Sequence, residues 1–246
     1  MTSTTLESRK HMGAGPLSER FDEALGYAAR QHRQQLRKGS RVPYMSHLMS
    51  VSALVMEHGG SEDQAIAALL HDAVEDAPKG EGPAVLSHIR EQFGVAVADI
   101  VLACSDGLNE AGDRKGTWPE RKQPYVAALS DPAKKSDEAL LVTAADKIHN
   151  GSRIAADLRE FGATFWSTFN ACEHELLWYY TSVDAAVSER LKGHTIARAL
   201  HRAVDDLVVT AARASRQPAG SDLPTCACRR PERTVADAQQ STTQDD

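Results

Sequence analysis

The sequence predicts an all-α fold, a single helical bundle of about eight helices, and three observations carry that prediction. Apolar residues recur three and four positions apart through most of the chain, the spacing that lines one face of a helix. Ser, Gly and Pro punctuate those runs where helix caps and breaks belong. Neither an alternating strand-plus-turn pattern nor an internal repeat is present.

The elements follow in order. "LSERFDEALGYAARQHRQQ" opens on Ser18 as N-cap, with Phe21, Leu25 and Ala28 on one face. A loop holding Gly39 and Pro43 follows, and Ser46 is expected to cap a helix running to about His58, where "GG" stops it. Ser61 caps the next helix, expected to reach Pro78 and Gly80. "GPAVLSHIREQFG" has Pro83 near its start and Gly94 past its end. "VAVADIVLACSDG" fits strand or helix by its apolar run alone and is assigned helix because its neighbours are. After the polar loop 107–117, helix resumes at "WPERKQPYVAALS", and a long amphipathic helix runs from "DEALLV" to Gly162. Two more helices complete a domain spanning 17–215, and the tails 1–16 and 216–246 are expected to be flexible.

Bulk composition excludes several classes. A formal charge of −6 over 246 residues argues against a nucleic-acid-coating protein, because such binding rests on phosphate neutralisation by a basic face. No signal-peptide core precedes residue 17, and no run of about 18 apolar residues is present. The expectation is a cytoplasmic protein with no membrane partner, its four cysteines reduced. Nothing in the sequence fixes an oligomeric state.

"ALLHDAVEDAP" places His71, Asp72, Glu75 and Asp76 on a run otherwise apolar enough to be buried. Unpaired buried charge is costly, so such a run needs a partner such as a metal ion. Imidazole nitrogen beside carboxylate oxygen suits Mn²⁺, Fe²⁺ or Zn²⁺ better than Ca²⁺. Two ligands are too few, and His47 and Asp146 are the candidates to complete the set. On the helix of Asp146, Asn150, Arg153 and Asp157 continue one polar stripe, which faces either water or a site. Arg30, Arg33, Arg37, Lys38 and Arg41, with no acid among residues 30–41, could receive a polyanion. His149 either lines the same pocket or packs its helix, and the aromatics from Phe161 to Tyr180 are expected in the core, with one tyrosine walling the site.

The ordered set "RKGSRVPYMSH", "ALLHDAVEDAP", "FG", "WPERK" and "LLVTAADKIHN" resembles the hydrolase domain of the RelA/SpoT homologues, within the HD phosphohydrolase superfamily, over about residues 20–200. Lacking a synthetase domain, the chain is most similar to the stand-alone small alarmone hydrolases. The resemblance implies one Mn²⁺ held by His47, His71, Asp72 and Asp146, with Glu75 and Asp76 as the acidic pair beside the reacting water. It implies substrate contacts at Arg37, Lys38, Lys122 and Asn150, to which the polar stripe adds Arg153. The implied reaction removes the 3′-diphosphate of (p)ppGpp. Two positions depart from the family: Leu48 stands where Pro is usual, and Thr143 where Lys is frequent. Thr143 and the 107–117 loop leave open adenosine alarmones (pppApp type), the 2′-phosphate of NADPH or another nucleotide. A catalytically silent nucleotide sensor is the third reading, opposed by the six filled positions.

Overall fold

The computed structural model describes residues 15–105 and 117–215. Nine α-helices lie among them: α1 (Glu19–Gln31), α2 (Met45–Glu57), α3 (Glu62–Leu70), α4 (Gly82–Phe93), α5 (Val95–Cys104), α6 (Trp118–Leu129), α7 (Asp137–Phe161), α8 (Glu173–Arg190) and α9 (Thr195–Ala214). A 3₁₀ segment, Gly162–Thr168, joins α7 to α8. There is no strand among the described residues, only one isolated antiparallel bridge between Leu36 and Pro43. Residues 1–14 of the expected N-terminal tail, the expected tail 216–246, and residues 107–116 of the expected loop 107–117 lie outside the described residues.

α7 is the axis of the molecule. Its residues Ala139 to Asp146 are buried without a break, which requires neighbours all round, and α2, α3, α5, α8 and α9 supply them. Small residues at Ala144, Ala145 and Gly151 let those neighbours approach closely. Ser136 caps the helix by accepting from the Ala139 amide, and Asp137 and Glu138 complement the positive end of its dipole. Gly162 ends it with φ of 65°, a left-handed conformation that glycine adopts without strain. Arg190 of α8 fastens the entry to α7: Nη1 donates to the Leu129 and Lys135 carbonyls and Nη2 to Asp137.

Ser18 and Ser61 cap α1 and α3 as expected, the latter in a reciprocal box with Gln64. Two expected boundaries shift. α2 starts at Met45, ahead of Ser46, with Tyr44 as N-cap and no side-chain cap. The preceding loop already fixes the chain there: the Tyr44 amide donates to the Gln35 carbonyl at 2.9 Å and the Arg37 amide to that of Val42 at 2.8 Å. α3 stops at Leu70, well before Pro78. The His71 ring Nδ1 lies 2.8 Å from the Ala68 carbonyl, the acceptor a continuing helix would offer to the Asp72 amide, and the Ala73 amide steps back to Leu70. Residues 71–77 are therefore successive turns, and the acidic residues do not share one helical face.

Candidate active site

The end of α3, the first turns of α2 and the middle of α7 meet in the interior. His47 and His71 are buried, and both present Nε2 with no hydrogen-bond partner. Around those two nitrogens stand two carboxylate oxygens. Asp72 Oδ2 lies 3.6 Å from His47 Nε2 and 3.1 Å from His71 Nε2, and Asp146 Oδ1 lies 3.3 and 3.7 Å from the same atoms. His47, His71 and Asp72 form the tightest group, with ligand atoms within 4.8 Å of one another; Asp146 closes the ring against both imidazoles.

The donor set fits a transition-metal ion. Bonds of about 2.1 Å give neighbouring ligand atoms separations of about 3.0 to 3.4 Å in octahedral or tetrahedral shells, close to those four distances. Orphaned buried imidazole nitrogens facing carboxylates are the arrangement a cation would satisfy.

Each donor is held from behind. His71 Nδ1–H donates to the Ala68 carbonyl and so turns Nε2 inward toward the cluster. His47 Nδ1 lies 2.8 Å from His149 Nδ1. Burial, then the proximity of His47 and Arg37, push His149 down to about 4, so it stays neutral and can accept from His47. Tyr44 donates its hydroxyl to Asp72 Oδ2 at 2.5 Å. Asp146 accepts from Lys147 Nζ and from Asn150 Nδ2, both at 2.5 Å, and Arg37 donates to Asn150 Oδ1 at 2.6 Å.

These contacts set the charges. Burial opposes the ionised form of Asp146, but Lys147 and the two histidines outweigh it and hold the carboxyl well below its usual range. Asp72 is likewise depressed against burial, chiefly by a charged His71, which in turn is held, against burial, well above its usual value by Asp72 and Asp146; a cation entering the cluster takes the place of that proton. Lys147 is held charged against burial by Asp146. Both carboxylates are therefore ready-made anionic ligands.

Two spaces adjoin the cluster. A small chamber of about 50 Å³ is bounded on one side by His71, Asp72, Asp146 and Glu75. Its far side is formed by Lys122, Lys147, Tyr125, Tyr179, Thr143 and Cys104. A groove of about 660 Å³ carries Arg37, Lys38, Asn150 and Arg153, with Phe161, Phe165 and Phe169 as an aromatic wall, and it shares Lys122 and Tyr179 with the chamber.

Most of the residues singled out from sequence converge here. Asp76 does not line the chamber: it is exposed and accepts from Gln35 Nε2 at 2.8 Å, tying residues 71–77 to the loop that bears Arg37 and Lys38. Of the polar stripe of α7, Asp146 lines the chamber and Asn150, Arg153 and Asp157 line the groove, where Arg153 remains exposed. The aromatics do not all enter the core: Phe161 is 55% exposed and Trp178 40%. Tyr179 walls both the chamber and the groove, and Tyr180 joins it in the groove. Tyr44, Tyr125, Cys104 and Lys147 escaped sequence reasoning. Lys147 had a signal, a lysine adjoining a ligand candidate on a helical face shared with Leu140, Ala144, Gly151 and Ile154; the others had none beyond proximity in the fold.

A helical bundle with a buried His/Asp cluster and a cationic groove defines a class, that of metal-assisted hydrolases acting on phosphate esters. The HD-domain model matches residues 24–163. The chain is 35% identical over 136 residues to a Drosophila melanogaster protein named guanosine-3′,5′-bis(diphosphate) 3′-pyrophosphohydrolase MESH1, covering 54% of this chain and 68% of that one. The human protein of the same name is 33% identical over 163 residues, covering 64% and 77%. A solved structure described as a metazoan orthologue of SpoT that hydrolyses ppGpp superimposes with a TM-score of 0.55 and 27% identity, over 80% of this chain and 97% of that one. The chain belongs to the HD-domain family, with the MESH1-like hydrolases among its relatives.

Proposed function

We propose that this protein is a Mn²⁺-dependent pyrophosphohydrolase that removes the 3′-diphosphate of (p)ppGpp, giving GDP or GTP and pyrophosphate. The observation that carries it is the convergence of His47, His71, Asp72 and Asp146, distant in sequence, around two unpartnered imidazole nitrogens. The activities named for the relatives and the structural neighbour point the same way. The hydrolase unit is proposed to span 17–215. No described helix is long and apolar enough to cross a membrane, and Cys104 and Cys172 are not joined in a disulfide; the enzyme is proposed to be cytoplasmic.

A divalent ion in this cluster supplies Lewis acidity toward water and toward a phosphate oxygen. Glu75, at the edge of the cluster and lining the chamber, takes the proton of the water that attacks the 3′-phosphorus as the P–O3′ bond breaks, and the departing O3′ takes up a proton from solvent to leave as the ribose hydroxyl. Asp76 holds Gln35 and thereby the loop carrying Arg37 and Lys38. Arg37, Lys38 and Arg153 attract the nucleotide's phosphates in the groove, Asn150 meets the ribose, and the Phe wall offers a face for the base. Lys122, at the junction of groove and chamber, neutralises charge on the reacting phosphates.

The test is a substrate panel of ppGpp, pppGpp, pppApp and NADPH with Mn²⁺ and product identification. Pyrophosphate and GDP from ppGpp are expected, and Glu75→Gln should lower turnover about 10²- to 10⁴-fold with metal content unchanged. Absence of turnover of ppGpp by folded, metal-loaded protein overturns the reading, and faster release from pppApp or NADPH reassigns the substrate.

A further inference from the structure

His32 sits behind the site and not in it. It is the C-cap of α1, its amide donating to the Ala28 carbonyl. The residue is 3% exposed and borders neither the chamber nor the groove. From there its ring reaches the turns after α3 by two routes. Nδ1 lies 2.6 Å from Gln35 Oε1, and Gln35 Nε2 donates to Asp76 Oδ2 at 2.8 Å. The ring also stacks on Tyr44, with centroids 5.3 Å apart and planes 26° from parallel, and Tyr44 donates its hydroxyl to Asp72 Oδ2. The two routes end on either side of Glu75 in the chain.

Chemistry fixes the polarity of the first route. An ionised carboxylate only accepts, so Gln35 turns its amide nitrogen to Asp76 and its oxygen to His32. An amide oxygen also only accepts, so His32 carries a proton on Nδ1. The other ring nitrogen, Nε2, is buried with no hydrogen-bond partner, and that costs stability. For packing alone, phenylalanine would fill the same space without this cost. What a histidine supplies here is the Nδ1–H.

We infer that His32 is a positioning residue for the hydrolysis: its ring holds Tyr44 against Asp72, its Nδ1–H holds Gln35 toward Asp76, and together they set the turn that presents Glu75 beside the cluster. This rests on the reaction proposed above. The two halves of the side chain do different work. The ring bears on Asp72, a proposed metal donor, and so on metal affinity. The N–H bears on the turn that carries Glu75, and so on kcat.

Two substitutions separate them. His32→Phe keeps an aromatic ring and removes the donor, whereas His32→Asn removes the ring and keeps an N–H near the position of Nδ1. Mn²⁺ affinity is read by chelator competition, kcat and KM with ppGpp at saturating Mn²⁺, and stability by urea unfolding. His32→Phe should bind Mn²⁺ and hold KM within about twofold of wild type while kcat falls about 10- to 100-fold. His32→Asn should bind Mn²⁺ about 10-fold more weakly and, once loaded, recover most of the kcat that His32→Phe loses. A wild-type kcat in His32→Phe overturns the inference. So does a parallel fall of affinity and kcat that tracks lost stability in both variants, the result that packing alone would give. Should His32→Asn not fold, His32→Phe carries the test. If the wild type does not hydrolyse ppGpp, the proposed reaction fails, and Mn²⁺ affinity still decides the role of His32: equal binding by wild type and His32→Asn overturns it, and weaker binding by His32→Asn but not by His32→Phe sustains it.

Discussion

His149 shows how much of this site works at one remove. Its Nδ1 receives the His47 ring 2.8 Å away, so it fixes which His47 nitrogen is free to face the cluster. His149→Ala leaves a buried N–H without an acceptor and lets that ring turn. Metal affinity should fall about 10- to 100-fold, measured by competition with a chromogenic chelator, and His149→Asn, which returns an acceptor oxygen, should recover part of the loss. Equal affinity in all three proteins would show that His149 merely packs. The same scale explains what the sequence made legible. His71 and Asp72 stood out because charge on an apolar run demands a partner, and His47 and Asp146 because the motif order resembles a known family. Tyr44, 28 positions from Asp72, was invisible because a tyrosine is equally at home in any core.

Among the elements, α7 combines the tightest packing with the most chemistry. A Cβ on Gly151 would meet Tyr180 Cε1 at 3.3 Å, Cδ1 at 3.6 Å and Leu207 Cδ2 at 3.9 Å. Gly151→Ala gains helix propensity of about 0.8 to 1.0 kcal/mol against a contact that Tyr180 relieves by a small shift, so stability should change by less than about 1 kcal/mol. Gly151→Val has no such room and should destabilise by about 1 to 3 kcal/mol. Urea unfolding checks both, and equal midpoints for the two variants would contradict the packing. Helix content was readable from periodicity and caps, since Ser18, Ser61, Gly94 and Gly162 each do locally what their residue type favours. The end of α3 was not, because it is set by a side chain: His71 contacts a backbone carbonyl that the apolar pattern of residues 66–74 gives no reason to doubt.

For the molecule as a whole, acidity acts at the junction of α2 and α9. His58 Nδ1 lies 2.7 Å from Thr195 Oγ1, and His194 Nδ1 accepts from the Ile196 amide as the N-cap of α9. Burial lowers both, His58 further through His194, and His194 also through Arg198. A histidine whose folded pKa lies below its unfolded value of 6.5 contributes stability that is complete above that value and is lost as pH falls toward the folded pKa. Protonating His194 also removes the cap and puts positive charge at a helix N-terminus. The midpoint of urea unfolding should therefore fall below pH 6.5, and His194→Asn, an uncharged cap, should flatten that slope; identical profiles would remove His194 from the account.

The donors are unevenly spread along the chain, and this orders the birth of the site. The proposed donors His47, His71 and Asp72 come from α2 and the turns that follow α3, whereas Asp146 lies on α7. On the proposed ligand set, a nascent polypeptide that has emerged as far as Asp72 carries three of the four donors and should hold a cation less tightly than the folded domain. Delivery of the ion to its final tightness must follow the insertion of α7, so a truncated or stalled product would release its metal to any competing chelator.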